Sequence, residues 1–197
     1  SVKEENGQDG RAPRWRFLVR TGAPKDRQAV TAGTKTHPKQ WRFRCLLTGA
    51  PIEEDYVIAQ GQGGHMETRL VAMVADAGRR RVYLPASERA ELLARSASPR
   101  WRPDGTMPNN RRWFSPPGVG LTSYGDLFTP RQLTAMVTLS DLIREVREDV
   151  LKDAGSAGLQ PAEAEEYASA VVTLLALALD RCADFNNALC RWEASRV

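Results

Sequence analysis

Two short stretches carry the same basic and aromatic text. Arg14–Arg20 reads RWRFLVR and Gln40–Leu46 reads QWRFRCL, and both contain Trp-Arg-Phe. Side chains alternate between the two faces of an extended strand. Trp15, Phe17 and Val19 therefore share one face, with Arg14, Arg16, Leu18 and Arg20 on the other. In the second stretch Trp41, Phe43 and Cys45 oppose Arg42, Arg44 and Leu46. Guanidinium groups meet phosphate oxygens and rings stack on bases, so a strand pair of this kind suits contact with DNA. Trp15 and Trp41 are the stacking candidates. The same alternation also describes a half-buried sheet with its rings in the core and its arginines in water. Arg79, Arg80 and Arg81 form a third basic cluster at an expected hairpin turn, a further candidate phosphate contact.

A second set is polar and helical in spacing. Asp180, Asp184, Asn187 and Arg191 recur at +4, +3 and +4, with Arg181 beside them. If the two C-terminal helices run antiparallel, this end approaches Thr129–Gln132, and Arg131 joins the set. The alternative is a solvated face of Asp–Arg pairs one turn apart, each contributing about a few tenths of a kcal/mol.

Other reactive residues form no recognisable centre. Gln60–His65, QGQGGH, matches neither a P-loop nor a dinucleotide fingerprint and reads as a mobile turn. Cys45, Cys182 and Cys190 are odd in number and widely spaced, which argues against a disulfide framework and fits a reducing, cytoplasmic setting. With His37 and His65 they would converge on zinc only by chance, so no metal is expected.

The elements that must position these residues differ along the chain. Residues 1–13 are polar and glycine-containing and read as a disordered lead-in. Residues 14–97 read as a basic, β-rich part. Thr21–Pro38 is an expected loop, Asp55–Ala59 a short strand, and Glu67–Ala75 with Arg79–Leu84 a hairpin. Pro85 opens a short helix with Ser87 as its cap. TGAP recurs at Thr21–Pro24 and Thr48–Pro51, each after a Trp-Arg-Phe strand, a weak sign of duplication. Residues 98–128 form a proline-rich connector whose rings, among them Trp101, Trp113, Phe114 and Tyr124, are expected to pack or bind.

Residues 129–197 read as a helical hairpin. Thr129 is an N-cap, Pro130 the first helical residue and Gln132 the partner of a capping box, with Phe128 and Leu133 as a hydrophobic staple. The helix is expected to reach about Asp153 and to end at Gly155. Its seam is Met136, Leu139, Ile143, Val146 and Val150. A second helix from Pro161 carries Ala168, Val171, Leu175, Ala178, Cys182, Phe185, Leu189 and Trp192. Val171–Leu179 is apolar nearly all round, so a second covering surface is expected, through dimerisation or docking. The fold class is α+β: a small twisted antiparallel sheet, ribbon-like but degenerate, followed by a long antiparallel helical hairpin.

Bulk numbers exclude some classes. No apolar run reaches the roughly 20 residues of a membrane span. The polar start is no signal peptide, and the missing initiator Met suggests a piece of a longer protein. Net charge is +4. Residues 1–114 hold 21 Lys and Arg against 12 Asp and Glu, whereas residues 115–197 hold 7 against 12. A front half at +9 and a back half at −5 imply different surroundings, with a polyanion suited to the first.

DLFTPRQLTAM at Asp126–Met136 and LALALDRCADFNNALCRWE at Leu175–Glu193 resemble a segment of the zinc-ribbon-containing adenine-specific DNA methylases. These are large bacterial and archaeal proteins, some linked to anti-phage defence. RVYLP at Arg81–Pro85 and RCLLTGAPI at Arg44–Ile52 share in the resemblance. It implies DNA as a partner, S-adenosylmethionine as the cofactor of a parent protein, and docking on a catalytic methyltransferase domain of the same parent chain. Cys45 stands without the partners of the family's zinc knuckle, which implies a ribbon that has lost its metal. The glycine-rich cofactor motif and the D/N-P-P-Y/F tetrapeptide that holds a flipped base are missing; Ser115–Gly118 is SPPG and Met107–Asn109 is MPN.

The chain is therefore expected to be a non-catalytic, DNA-contacting insertion module with no cofactor of its own. Phe128-Thr129-Pro130 is also similar to the cofactor-side motif of gamma-type N6-adenine methyltransferases. That similarity implies a place for these residues at the border of an S-adenosylmethionine pocket, with Arg131, Asp184, Asn187 and Arg191 nearby. Two alternatives stand beside the module: a structural or protein-interaction domain, and a part of the S-adenosylmethionine pocket itself.

Overall fold

The computed structural model describes residues 2–5, 14–78, 80–110 and 115–190, with the backbone alone at 2–5, 14 and 16. The class is α+β, with two-stranded antiparallel ladders followed by two long helices packed as a hairpin. Two compact units form: residues 1–94 with 108–121, and residues 95–107 with 122–197. The stretch read as a connector is thus shared between the units.

In the first unit β1 (Val2–Glu5) pairs with β2 (Arg14–Phe17) in the register Val2–Phe17. Val2–Glu5 was expected as lead-in and is instead a strand, because an extended partner at Arg14–Phe17 takes up its backbone groups; residues 6–13 lie outside the described residues. Helix α1 (Arg27–Ala32) interrupts the expected loop, capped by Asp26 accepting from the Ala29 N–H at 2.9 Å. Strand β3 (Phe43–Arg44) pairs with β4 (Pro51–Ile52) on one side. On the other, the Arg44 N–H donates to Thr34 and the Thr36 N–H to the Arg42 carbonyl. The two Trp-Arg-Phe strands therefore have separate partners and do not pair with each other. Each pairs with a strand near it in the chain, and loop-closure entropy favours the nearer partner.

Glu54–Gln62 is helix α2, not a strand at Asp55–Ala59; it takes in Gln60–Gln62 of the expected turn, which is confined to Gly63 and Gly64. Glu54 and Asp55 sit in its first turn, where carboxylates complement the helix dipole. Its last turn lies backbone to backbone against the 3₁₀ turn Pro116–Val119. A Cβ on Gly61 would stand well under 3.0 Å from the Val119 carbonyl, and Gly120, at φ +86°, returns the close approach. The Gln62 amide donates to the Gly118 carbonyl at 3.3 Å. The expected hairpin forms from β5 (Ala72–Asp76) and β6 (Arg81–Pro85), its first strand starting at Ala72 and not at Glu67, with the Asp76 side chain accepting from the Gly78 N–H. Pro85 closes β6, and α3 (Glu88–Arg95) starts after Ser87, whose hydroxyl accepts from the Ala90 N–H.

The second unit is built on α4 (Pro130–Ser156) and α5 (Pro161–Phe185). The Thr129–Gln132 capping box is in place, with the Gln132 amide oxygen accepting from the Thr129 N–H at 2.9 Å. Helix α4 runs one turn past its expected end. Gly155 is helical, and Gly158, at φ +96°, is the left-handed closing residue. The Leu159 N–H donates to the Ala154 carbonyl and the Gly158 N–H to Gly155, the two bonds of a Schellman motif.

Ala154, Ala164 and Ala168 are buried where the helices turn back, and Arg147 pairs with Glu165 across them. The far end is tied by the Ala188 N–H donating to the Leu127 carbonyl at 2.6 Å. The seam departs from the heptad reading. Leu139, Leu175, Ala178, Cys182, Phe185 and Leu189 are exposed, and Val172, Leu179 and Ala183 are more covered. An α-helix repeats every 3.6 residues and drifts about 20° per heptad from a 3.5-residue line. Helix α5 also stops at Phe185, so Leu189 lies past its end and Trp192 lies outside the described residues.

Two glycines give expected outcomes of opposite sign. Gly61→Ala forces Val119 and α2 apart and is expected to lower stability by about 1–3 kcal/mol. Gly155→Ala adds a methyl into open space on a helix and is expected to raise it by about 0.5–1 kcal/mol. Urea unfolding midpoints of the two variants check both.

Candidate functional site

Each unit places part of the expected set. At β3 the alternation is as read: Trp41, Phe43 and Cys45 are half-buried, and Arg42, Arg44 and Leu46 are exposed. The Trp41 ring lies against Gly118, so it packs inside the unit and is not a bare stacking platform. Arg42 pairs with Glu53 at 3.0 Å, and Arg44 donates to the Gly49 carbonyl at 3.4 Å. Trp15 is half-buried on β2, and the Arg69 guanidinium stands 5.8 Å from the centre of the neighbouring Phe17 ring. Arg80 is exposed at the β5–β6 turn and Arg81 is half-buried. The side chains of Arg14 and Arg16, and the whole of Arg79, lie outside the described residues. The Cys45 thiol is held below its usual range by the Thr48 hydroxyl, then by backbone groups of Thr48 and Leu47. Among the described residues no three His, Cys, Asp or Glu groups gather to hold a metal.

The polar set of the second unit is only partly brought together. The bond from Ala188 to Leu127 puts the end of α5 beside the start of α4, as antiparallel pairing required. The side chains go elsewhere. Asp184 pairs with Arg181 at 2.7 Å, one turn away. Asn187 lies beyond the helix, not inside it: its amide donates to the Ala183 and Asp184 carbonyls, and its oxygen accepts from the Leu189 N–H. Asn competes for backbone groups, so it closes the helix. Thr129 and Pro130 serve the α4 cap, Arg131 is exposed, and no ion pair joins Arg131 to Asp184 among the described residues. Arg191 lies outside the described residues.

What does gather is a cavity of about 780 Å³ within this unit. Leu133, Met136 and Val137 from α4 and Ala176, Leu179 and Ala183 from α5 make its apolar surface. Trp101, Pro103 and Phe128 line it from the preceding segments, and Arg100, Ser140, Asp141, Arg144 and Asp180 supply the polar groups. Arg100 pairs with Asp141, and Arg144 lies 4.0 Å from the same carboxylate. Asp180 has no ion-pair partner among the described residues. Two rings, a thioether and a carboxylate with no ion-pair partner among the described residues suit a flat or apolar body that carries a positive group.

Of the cofactor-side and polar-stripe residues singled out from sequence, Phe128 and Asp180 line this cavity, and the staple and seam residues Leu133 and Met136 line it as well. Arg100 and Asp141 were missed, since they lie forty-odd positions apart in sequence and only the fold joins them. Trp101 had a signal: it is one of the connector rings expected to pack or bind.

Asp126 ties the Arg102 segment to the Thr122–Leu127 turn beside the cavity. Its carboxylate accepts from the Thr122 and Ser123 N–H groups and from Arg102, next to Trp101. Partial burial is the largest single influence and raises its pKa. The Ser123 and Thr122 N–H groups, Arg102 and the Ser123 hydroxyl together outweigh it and hold the carboxyl below the usual range.

Compared with known proteins, the chain matches no family model, no curated protein and no solved structure. Among the described residues no helix is long and apolar enough to cross a membrane.

A depressed folded pKa stabilises above the unfolded value of about 3.9 and ceases to do so as pH falls through the folded value. Asp126→Asn is therefore expected to destabilise the chain at neutral pH, and the gap to the wild type should close below about pH 4. Urea unfolding of both proteins across that range checks it.

Proposed function

We propose that the chain is a non-catalytic, nucleic-acid-contacting module whose first unit faces phosphates. One observation carries this reading: charge is divided between the units. The first unit holds 18 Lys and Arg against 11 Asp and Glu, and the second holds 10 against 13. The first is thus at +7 and the second at −3. Within the first unit, Arg42, just before β3, and Arg44, on it, are exposed, and Arg80 is exposed at a hairpin turn. Phosphate contact needs accessible guanidinium groups more than free rings. Trp41, packed on Gly118, supports the arginine strand from behind. The resemblance to the adenine-specific DNA methylases supports DNA as the polyanion, with S-adenosylmethionine and the catalytic domain supplied by a parent protein.

Labelled duplex DNA titrated with the full chain at a series of salt concentrations tests this. A slope of log K against log salt of about −3 or steeper is expected, and Arg42→Ala with Arg44→Ala and Arg80→Ala should flatten it by about 2 to 3. No binding at low salt, or a slope unchanged in the triple variant, would sink the proposal.

A second reading rests on the cavity. Phe128 and Trp101 beside Asp180 suit the adenine ring and sulfonium of S-adenosylmethionine. Calorimetry is expected to show heat with S-adenosylmethionine or its homocysteine product, reduced at least about tenfold in affinity by Asp180→Asn with Trp101→Ala, a loss of roughly 1.4 kcal/mol. Absence of heat with the wild-type chain removes this reading and leaves the DNA proposal standing.

A further inference from the structure

Helix α5 carries two apolar stripes, and α4 uses only one. The inner stripe runs through Ala164, Ala168, Val171, Val172, Leu179 and Ala183. The outer one runs through Tyr167, Ala170, Leu174 and Leu177, spaced +3, +4 and +3. At about 100° per residue these four lie within roughly 40° of one direction, turned well away from the inner stripe. They are open: Tyr167 is 56% exposed, Leu174 67% and Leu177 62%. An apolar row of this length on a water-facing helix face marks a contact surface.

The charges at its ends indicate what covers it. Continuing the same spacing reaches Glu163 four residues before Tyr167 and Arg181 four residues after Leu177. The series Glu163, Tyr167, Ala170, Leu174, Leu177, Arg181 thus has steps of 4, 3, 4, 3 and 4, which read the same in both directions. A helix bearing such a series is complementary to itself when turned end for end. We propose that α5 pairs antiparallel with α5 of a second copy through this stripe, about a twofold axis at the level of Val172.

Tyr167 then faces Leu177 of the partner subunit. Ala170, a small residue, faces the partner subunit's Leu174, so large meets small on both sides of the axis. Glu163 faces the partner subunit's Arg181, and the pair occurs twice. In a parallel pairing each of these residues would meet its own copy, and the like charges would repel. The arrangement is isologous, the form expected of a twofold dimer, and it covers the second side of Val171–Leu179 that α4 leaves open. In the single chain Glu163 accepts from the Gln160 N–H, and Arg181 pairs with Asp184 and lies over the Phe185 ring, 4.4 Å from its centre. Both side chains stay at the surface.

Sedimentation equilibrium of the full chain over the micromolar to sub-millimolar range tests the proposal. A reversible monomer–dimer equilibrium is expected. Leu174→Glu with Leu177→Glu should be monomeric throughout, with helix content by circular dichroism unchanged because both side chains are exposed in the monomer. Glu163→Arg alone and Arg181→Glu alone should each weaken the dimer by about three- to thirtyfold, and the two together should restore it to within about threefold. That rescue is specific to the antiparallel register and is not expected of a merely sticky surface. A wild-type chain that stays monomeric overturns the proposal and leaves the stripe to a protein of another kind. A dimer that survives the leucine changes, or charge changes that add instead of compensating, overturns it as well.

Discussion

Three alanines govern the second unit. Ala154, Ala164 and Ala168 are buried where α4 and α5 turn back on each other, and Ala168 is wholly covered. Small side chains at a crossing let helix axes approach to about 8 Å, the near end of the usual range. That approach brings Arg147 to Glu165 and decides which line of α5 becomes the inner one. Once Ala164 and Ala168 face α4, Leu174 and Leu177 must face away, because the helix repeat leaves them no other direction. The cavity follows from the same geometry. The buried alanines join the helices closely at the turn, while longer side chains line the space toward the far end, where Trp101 and Phe128 also take part.

The first unit is held by a different kind of contact. Gly61 and Gly120 let α2 and the Pro116–Val119 turn meet backbone to backbone, a distance that any Cβ would forbid. The contact joins residues separated by more than fifty positions and brings Gly118 under the Trp41 ring. The same contact sets the geometry of the proposed nucleic-acid face. A packed Trp41 fixes β3 with Arg42 and Arg44 outward, so the basic face is presented by a supported strand and not by a loose loop. The first unit as a whole carries net positive charge, while the second is acidic. Nucleic-acid contact and self-association would thus use separate surfaces, one polar and one apolar.

Local signals were legible in the sequence wherever a few neighbouring residues satisfy one another. The Thr129–Gln132 capping box, Pro130 at the helix start, the Asp76–Gly78 turn and the alternation at β3 all depend on spacings of a few positions. The antiparallel hairpin followed from two long apolar periodicities and a short loop. Competing local readings misled in two places. QGQGGH was read as a turn because glycines favour turns, yet Gly61 is needed for packing. Asn186 and Asn187 were read as part of a continuing helix because the apolar pattern runs on past Phe185, yet Asn187 turns its amide back onto the Ala183 and Asp184 carbonyls and ends it.

By itself the sequence determined the two long helices, the Thr129–Gln132 and Ser87 caps, the β5–β6 hairpin, the uneven charge and the excess of apolar surface on α5, since each is a property of composition and short-range spacing. Only the tertiary structure decided which strand each Trp-Arg-Phe segment pairs with, which stripe of α5 is inner, and that Arg100, Trp101, Asp141 and Asp180 share a cavity. The last two of these depend on steric fit between residues far apart in the chain, above all the alanines that admit a neighbouring helix. Such fit exists only after the chain has folded.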